Sequence, residues 1–340
     1  MPTFQSPLRR RLLALILAPL LAPGAALAQA STGASAAIAQ AAHAYVLVER
    51  KIDRSGTPWE LHLVQTSDEI YVPLGVRRPD GDGPFPMILI GSGQGRDGMT
   101  KIEEAMDEYE ELMTRLVDRG YVAAFVSYRN EVPELYNEID AAELLADTVS
   151  GGGRTLRSAP ALDSDDHLAI IEHARGLPYT DPDSIGAIGS SHSGEIIMKS
   201  ATARAGLAAA VPSEAAVLEY LLIDTSRAPR DASGSELQLQ DKELARKLAD
   251  EGRAIERVRD VEIPLLVMGR DDDHLQGAFA LLYEWLAEAG KDAQWASFDH
   301  PEHGYALLGR TYLEGGRPDA IQEQAFELYM AFFDEHLKGR

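Results

Sequence analysis

The amino-acid sequence predicts an α/β fold in which a mostly parallel sheet is covered by helices on both faces. Three β-rich runs come first, and the rest of the chain alternates short apolar runs with stretches of helical period. The short runs are typical of buried strands, and their alternation with helices indicates parallel strands joined by crossovers. With 340 residues, 45% of them hydrophobic, the chain is long enough for one large domain of this class.

The strands are predicted from apolar or alternating runs that turn residues bound. The runs YVLVER, ELHLVQ and EIYVPLGV, between Tyr45 and Val76, indicate the opening antiparallel strands of a mixed sheet. RPDGDGPF follows as a turn. The buried strands then come in the order PMILIG (86–91), YVAAFVSY (121–128), SIGAIG (184–189), GLAAAV (206–211), IPLLVMG (263–269) and QWASF (294–298).

The helices are predicted from apolar residues that recur at three- and four-residue spacing. Ile102–Val117 contains such a pattern, and Gly120 ends the helix. A second pattern covers 168–174, with Asp163 or Ser164 as the N-cap of its helix. The last two helices lie around ALLYEWLAEAG (280–290) and over 320–337.

Two segments, near 130–160 and 214–261, are longer than a plain crossover requires. We expect them to be insertions over the active-site face of a single domain that spans 31–340, because such insertions usually shape a pocket or lid. An apolar stripe in the second segment either packs on the core or belongs to a cap helix that lines a pocket. The stripe consists of Leu237, Leu244, Leu248 and Ile255.

Residues 1–30 are predicted to be a signal peptide. Arginines at 9–11 form a positive n-region, Leu12–Ala22 is an apolar h-region, and small residues permit cleavage after Ala28 or Ala30. A retained N-terminal anchor is the alternative, and the arginine pair raises a twin-arginine export route. The chain has no cysteine to carry a lipid, form a disulfide or act as a nucleophile. We therefore expect an exported protein, periplasmic or secreted.

The formal net charge of −22 limits the partners. An acidic surface repels phosphate backbones and anionic lipid, so we expect neither a nucleic-acid partner nor stable membrane insertion after signal cleavage. The expected partner is a small molecule or a short peptide that serves as substrate. The oligomeric state is left open.

The stretch IGAIGSSHSGEIIM predicts an exposed serine nucleophile. A serine hydroxyl reacts only when a base removes its proton and a tight strand-to-helix turn exposes its oxygen, and that turn needs small flanking residues. Ser191 meets this requirement, because Gly189 precedes it and Gly194 follows it. Centring the turn on Ser190 or Ser193 places an isoleucine or a glutamate where a small residue is needed. Taken alone, the motif could equally be a serine-rich turn that caps a helix.

The stretch GSSHSG resembles the elbow of the α/β-hydrolase superfamily, and in particular that of its dienelactone-hydrolase and prolyl-oligopeptidase-like branch. Ser193 stands where that branch usually has glycine, and dienelactone hydrolases proper use a cysteine nucleophile, which is absent here. The resemblance extends from about Glu69 to Lys338 in the order of motifs and elements. It implies an α/β-hydrolase fold with a triad in the order Ser, then Asp or Glu, then His.

The resemblance places the acid of the triad in RDDDHL, directly after the strand IPLLVMG. The spacing from Gly269 to Asp272 matches the G-x-x-D of the family, which selects Asp272 as the acid. Asp271 and Asp273 are expected to lie in a solvated acidic loop. A calcium site is not favoured, because contiguous carboxylates do not easily converge on one ion.

The base is predicted in FDHPEHGYAL, after the last strand. His303, followed by Gly304 and Tyr305, resembles the His-Gly-aromatic ending of the family. His300 is the competing histidine, but no glycine follows it. A metal site at HPEH is not favoured, because the proline makes this stretch a loop and no third ligand is evident.

Backbone amides are the expected oxyanion hole. The N–H of His192 would supply one donor, and Gly93 or Gln94, in the loop GSGQG (91–95), would supply the other. The glycine-rich loop could instead bind a nucleotide, but it does not lie in the first β–α unit of the chain. No cofactor and no metal are expected.

The combined motifs predict a serine hydrolase that cleaves a carboxylic ester through Ser191, Asp272, His303 and an acyl-enzyme. An ester is favoured over a peptide because the similar peptidases carry a large β-propeller before the hydrolase domain, and here only a short segment precedes the strands. A serine peptidase or acyl-aminoacyl hydrolase acting on short peptides, and acyl transfer, stay open. So does a binding protein without turnover on the same fold.

Two glutamates after the strand GLAAAV offer a hint about the substrate. Glu214 and Glu219 could line the pocket and favour a cationic or hydroxylated substrate. The alternative, which we favour at this stage, is a solvated helix start.

Overall fold

The computed structural model describes residues 47–69, 71–93, 100–129, 160–234 and 236–339. The predicted signal peptide and most of the first predicted insertion lie outside the described residues. Residues 46–340 belong to one compact unit. Within the described residues its centre is a nine-stranded sheet in the order β1 (Leu47–Ile52), β2 (Pro58–Gln65), β3 (Tyr71–Arg77), β5 (Val122–Val126), β4 (Phe85–Gly91), β6 (Thr180–Ser191), β7 (Ala209–Ala215), β8 (Leu265–Arg270) and β9 (Ala293–Phe298).

The opening strands form the antiparallel part of the sheet, as predicted. β1 pairs with β2, β2 with β3, and β3 with β5, all antiparallel. Buried and exposed residues alternate only in part of β2, whereas β3 is buried almost throughout because it leads into the centre of the sheet. These strands are β1 (Leu47–Ile52), β2 (Pro58–Gln65) and β3 (Tyr71–Arg77).

The remaining strands are parallel, and they place their carboxyl ends along one edge of the sheet. In an open parallel sheet this edge holds the functional groups. The strands are β4 (Phe85–Gly91), β5 (Val122–Val126), β6 (Thr180–Ser191), β7 (Ala209–Ala215), β8 (Leu265–Arg270) and β9 (Ala293–Phe298).

Helices lie on both faces of the sheet and close two hydrophobic layers. One layer includes Met106, Leu116 and Phe326, and the other includes Ile171 and Trp285. The helices are α1 (Thr100–Glu108), α2 (Glu110–Asp118), α3 (Pro160–Arg175), α4 (His192–Thr202), α5 (Lys242–Leu248), α6 (Glu251–Arg259), α7 (Gln276–Glu288) and α8 (Ala320–Phe333). The predicted α/β class and mixed sheet are therefore confirmed.

Two helix boundaries differ from the prediction. The single helix expected over Ile102–Val117 is interrupted at Tyr109, which separates α1 from α2 while its ring stacks on Phe125. Helix α3 begins at Pro160, so Asp163 lies inside its first turn and is not its N-cap. The fixed φ of proline suits the first position of a helix, which explains the earlier start.

The second predicted insertion contains α5 and α6. Leu248 belongs to the main hydrophobic core, and the other members of the apolar stripe pack against that core. Leu237 precedes α5, Leu244 and Leu248 lie in α5, and Ile255 lies in α6, so the stripe is not a single cap helix. Among the described residues, none of the helices is both long and apolar enough to cross a bilayer.

Candidate active site

Ser191 lies at the sharp turn between β6 and α4, where its backbone adopts φ 54° and ψ −118°. A non-glycine residue rarely adopts this conformation, and such strain concentrates at functional sites. The small neighbours are required by packing: a Cβ on Gly189 would lie 2.7 Å from Ile197 Cδ1, and one on Gly194 would lie 2.6 Å from Ala215 Cβ. The turn therefore has the geometry predicted for a nucleophile elbow.

The three serines of the turn have different surroundings. Ser190 is 2% exposed, and its Oγ lies 3.6 Å from the position of a Cβ built on Gly304. Ser193 is buried, and its hydroxyl donates a hydrogen bond to the carbonyl oxygen of Ser92. Only Ser191 is partly exposed at the strained position. The side chain of Ser193 thus ties the elbow to the loop after β4.

The loop after β4 approaches Ser191 closely. A Cβ on Gly93 would lie 3.4 Å from Ser191 Cβ and 3.8 Å from its Oγ. His192 is the first residue of α4, where backbone N–H groups have no acceptor within the helix and point toward an incoming negative charge. Gly93 and His192 therefore lie beside Ser191, and their amides stay the predicted oxyanion donors, while Gln94 lies outside the described residues.

His303 contacts an aspartate, as a base requires. Its Nδ1 lies 2.9 Å from Asp273 Oδ2, and its side chain is 31% exposed. Burial lowers the pKa of His303, whereas the hydrogen bond to Asp273 and the nearby carboxylate of Glu214 raise it. The upward effects are larger, so the pKa lies above its usual value. The bond at Nδ1 leaves Nε2 as the nitrogen that can accept a proton.

The aspartate that contacts His303 is Asp273, and the prediction of Asp272 is corrected here. Asp272 is exposed and adopts φ 59°, in the left-handed region. This conformation turns the chain directly after β8, and the N–H of Asp273 donates to the carbonyl oxygen of Arg270. Asp273 thereby points back toward the sheet and is 0% exposed, so it does not lie in a solvated loop.

Asp273 is held by several donors. Arg270 donates to its Oδ2 from Nε at 3.0 Å and from Nη2 at 2.8 Å, and the N–H of Leu275 donates to its Oδ1 at 2.8 Å. Burial raises the pKa of Asp273, but the hydrogen bonds from His303 and Leu275 outweigh it and lower the pKa to about 2. The carboxylate is therefore ionised and fixed in orientation.

The competing histidine, His300, lies in a different environment. It is 3% exposed, its ring stacks on Tyr305, and its Nε2 lies 3.0 Å from Asp319 Oδ2. Its Nδ1 accepts the N–H of Glu302 at 3.0 Å. Both ring nitrogens of His300 are thus engaged.

Glu214 is the second carboxylate beside His303. It is 0% exposed, so the solvated helix start that we favoured for it is wrong, whereas Glu219 is exposed. The Oε2 atom of Glu214 accepts the N–H of Gly304 at 2.8 Å, and its Oε1 atom lies 3.6 Å from Nδ1 of His303. Burial raises the pKa of Glu214 to about 7.

The spacing of Glu214, Asp273 and His303 also meets a geometric requirement for metal ligands, because one atom from each lies within 4.8 Å of the others. However, the guanidinium of Arg270 already contacts both carboxylates, at 2.8 Å from Asp273 and 3.6 Å from Glu214. Since an arginine supplies the positive charge at this point, we interpret the cluster as a hydrogen-bonded support for His303.

Comparison with known proteins gives structural matches only. No protein-family model matches the chain, and no curated protein matches its sequence. Among solved structures, dipeptidyl peptidase 4 of Porphyromonas gingivalis is 17% identical, with a TM-score of 0.56 over 82% of this chain and 36% of that one. The chain therefore spans about a third of the length of that peptidase.

Two matching structures are covered over most of their length. A Klebsiella pneumoniae protein described as a dienelactone hydrolase is 15% identical, with a TM-score of 0.52 over 85% of this chain and 99% of that one. Esterase 2 of Thermogutta terrifontis is 16% identical, with a TM-score of 0.52 over 82% and 92% of the two chains. The chain has the α/β-hydrolase fold. At these identities the similarity establishes the fold, and the reaction has to be argued from the site.

A further histidine–aspartate pair beside the α/β-hydrolase elbow was missed from the sequence. His192 Nε2 lies 2.7 Å from Asp163 Oδ2, and Asp163 is 0% exposed. The His192 ring also meets Tyr128 edge to face. The stretch ALDSDDHL has several acidic residues, and the sequence gave no reason to choose Asp163 among them. Its partner, His192, lies on another helix and is brought near only by the fold.

A cavity of about 320 Å³ opens at the carboxyl ends of β4 and β5, beside Ser92 and Ser127. Tyr109 and Phe125 also line it. The described residues that add charge to its wall are Arg54, Glu104, Asp107, Glu108 and Arg310. Because the next residue after Ser92 approaches Ser191, this cavity is the candidate space for part of a substrate.

Proposed function

We propose that the protein is a serine hydrolase in which Ser191 is the nucleophile and His303 the base. The observation that carries the proposal is the hydrogen bond from His303 Nδ1 to the buried Asp273, at the edge of the sheet where Ser191 occupies a strained elbow. A fixed imidazole with a free Nε2, together with an exposed hydroxyl on such a turn, is the arrangement that acyl transfer requires.

In the proposed reaction, Nε2 of His303 removes the proton of Ser191 while Oγ attacks a carbonyl carbon. Asp273 holds the tautomer and stabilises the imidazolium that forms. The amides of His192 and Gly93 stabilise the negative oxygen, and the imidazolium gives its proton to the departing alcohol as the ester C–O bond breaks. A water that His303 deprotonates then attacks the acyl-enzyme, which releases the acid and restores the Ser191 hydroxyl. Within the described part of the chain the Ser191 hydroxyl forms no hydrogen bond, so the Ser191–His303 bond is a proposed contact, one that often tightens only when substrate binds.

A carboxylic ester is the proposed substrate class. The structural match covers 92% of the Thermogutta esterase but 36% of the Porphyromonas peptidase, which supports an esterase over a peptidase. We propose that a short acyl or alkoxy group of the ester occupies the candidate cavity of about 320 Å³, which is lined by Ser92, the residue before Gly93.

The test is hydrolysis of a matched series of chromogenic esters and aminoacyl anilides by the mature protein and by Ser191→Ala. Esters of short acids should be cleaved by the wild type, anilides much more slowly, and neither by the variant. Faster cleavage of the anilides would replace the esterase proposal with a peptidase. If the wild type binds these compounds but cleaves none of them, the chain is a binding protein on this fold.

We also propose that the protein is exported, on the strength of residues 1–30. Expression in a bacterial host, followed by intact-mass analysis of the periplasmic fraction, tests this directly. A mass that corresponds to a chain beginning after Ala28 or Ala30 is expected. The full-length mass in the cytoplasm alone would contradict it.

A further inference from the structure

We propose that Glu214 is a second positioning carboxylate for His303, which acts from the side of β7 while Asp273 acts from the side of β8. The inference rests on the proposed function, because it concerns how the base is tuned. Asp273 alone would satisfy the requirements of a triad. The structure nevertheless buries a second acid against the same imidazole nitrogen.

The backbone places Glu214 at this point by an irregularity in the sheet. Ser190 pairs with Ser213, but Ser191 pairs with Ala215, so Glu214 is an extra residue on β7 opposite the elbow. Its φ of 45° lies in the left-handed region, which a glutamate rarely adopts. A bulge re-aims the side chain of its extra residue and is common beside active sites. The strain at Glu214 thus lies directly next to the strain at Ser191.

The side chain has two distinct contacts. Its Oε2 accepts the N–H of Gly304 at 2.8 Å, which fixes the residue that follows His303. Its Oε1 lies 3.6 Å from Nδ1 of His303 and 3.6 Å from Nε of Arg270, and has no hydrogen-bond partner among the described residues. A buried oxygen without a partner needs an explanation. We explain it as a negative charge beside the imidazole that stabilises the imidazolium electrostatically when Nε2 of His303 takes up a proton.

The charges around Glu214 come from several elements. Asp273 and Arg270 face it from the end of β8, and His303 faces it from the loop after β9. The imidazole of His274 packs beside that of His303, with 5.8 Å between the ring centroids, and its Nδ1 lies 3.2 Å from Asp273 Oδ1. Two further titratable groups that feel its charge, Tyr305 and Tyr312, lie in the segment that follows His303. The positive charge of His303 lowers the pKa of Glu214, whereas burial and the negative charge of Asp273 raise it. Protonation of Glu214 and of His303 is therefore coupled, and the two groups titrate as a pair.

The coupling has a kinetic consequence. An ionised Glu214 favours the imidazolium form of His303, which makes Nε2 a stronger base and stabilises the charge that develops during attack. The same interaction moves the acidic limb of the pH profile of kcat/KM to higher pH. A residue that only supports the fold would not shift this limb.

The experiment is the pH profile of ester hydrolysis for the wild type and Glu214→Gln. Glutamine keeps an oxygen that can accept the N–H of Gly304 but removes the charge. The acidic limb should move to lower pH by about one unit, the shift expected when an opposite charge within hydrogen-bonding range is lost. At the plateau, kcat should fall while KM stays the same.

Glu195→Gln is the matched control. Glu195 is also buried, at 4% exposure, and its Oε1 accepts the N–H of Tyr220 at 2.6 Å, but its charged neighbour is Lys199 at 3.9 Å. Its variant should leave the acidic limb in place. Equal shifts in both variants would assign the effect to loss of a buried carboxylate in general and overturn the role of Glu214. Superimposable profiles of the wild type and a folded Glu214→Gln would overturn it as well.

A second measurement needs neither turnover nor a stable Glu214 variant. NMR titration of the His303 imidazole in the wild type and in His274→Gln, with its signal assigned from the His303→Gln spectrum, should show two inflections in both proteins, because the coupling is to Glu214 and not to the neighbouring His274 ring. A single inflection would contradict the proposal. If His303 shows two inflections but the protein hydrolyses no ester, the coupling of His303 and Glu214 is supported and only the proposed function is wrong.

Discussion

His300 and His303 lie on the same loop, each within hydrogen-bonding distance of an aspartate, yet their surroundings differ in one decisive respect. His300 is 3% exposed, and both of its ring nitrogens have partners, Asp319 at 3.0 Å and the N–H of Glu302 at 3.0 Å. His303 is 31% exposed, and among the described residues only its Nδ1 has a partner, Asp273 at 2.9 Å. A base needs one nitrogen held and the other available. A buried histidine–aspartate contact alone therefore does not identify a catalytic histidine.

The pair also differs in what each histidine stabilises. Asp319 is the N-cap of α8 and accepts the N–H groups of Ile321 and Gln322, so His300 joins the last helix to the loop. His303 instead meets Asp273 and lies near Glu214, at the edge of the sheet that holds the elbow. One histidine joins two elements of the fold, and the other has the surroundings that the proposed reaction requires.

The largest effect should separate the two histidines in opposite directions. His303→Gln should lower kcat/KM by about 10⁶-fold, the loss seen when a triad base is removed. His300→Gln should keep a rate close to the wild type but lower the free energy of unfolding by about 1–3 kcal/mol, because buried polar partners lose their bonds. Ester hydrolysis and urea denaturation measure the two quantities. A silent His303→Gln beside an inactive but folded His300→Gln would reverse the assignment.

The next largest effect should separate the neighbouring aspartates. Asp273→Asn should reduce kcat by about 10⁴-fold, because the amide no longer selects the correct tautomer of His303. Asp272→Asn changes an exposed side chain and should leave kcat within a few-fold of the wild type. Initial rates at saturating ester give the comparison. Loss of activity in Asp272→Asn alone would restore the spacing rule that selected Asp272.

A smaller effect concerns how stability depends on pH. Burial raises the pKa of Glu214 from 4.5 to about 7, so its contribution to stability is complete below pH 4.5 and is lost as pH rises through about 7. Glu214→Gln removes this dependence. Across that range the free energy of unfolding of the variant, relative to the wild type, should therefore rise by about 3 kcal/mol. Urea titrations at several pH values measure it, with the exposed Glu219→Gln as control. A constant difference would contradict a pKa of about 7 for the buried Glu214.

The smallest effect should distinguish Ser190 from Ser191. The Ser190 hydroxyl is buried and has no hydrogen-bond partner among the described residues. Its removal in Ser190→Ala therefore breaks no bond and should change neither the rate nor the melting temperature appreciably. Ester hydrolysis and thermal unfolding check both expectations. An inactive Ser190→Ala, combined with an active Ser191→Ala, would move the nucleophile by one residue.

Most of the fold could be predicted from local patterns, because buried parallel strands and amphipathic helices carry a signal along the chain. The elbow could be predicted for the same reason: the size requirement on Gly189 and Gly194 acts within a few residues of Ser191. The acid could not be chosen, since three adjacent aspartates differ only in backbone direction. The left-handed conformation at Asp272 decides which one turns inward.

The role of Glu214 was also beyond local patterns. Its burial depends on a bulge in β7 and on a contact with Gly304, which lies far along the chain. The pairing of Asp163 with His192 likewise joins two helices. Contacts of this kind are fixed by packing across the sheet, and a sequence run shows only the residues that are available for them.

The central claim is that His303 activates Ser191. The most direct test is intact-mass spectrometry and peptide mapping of the mature protein after treatment with a fluorophosphonate, in the wild type, His303→Gln and His300→Gln. One adduct on Ser191 in the wild type and in His300→Gln, and none in His303→Gln, is the predicted result. An adduct on Ser190 or Ser193, or equal labelling of Ser191 in His303→Gln, would contradict it.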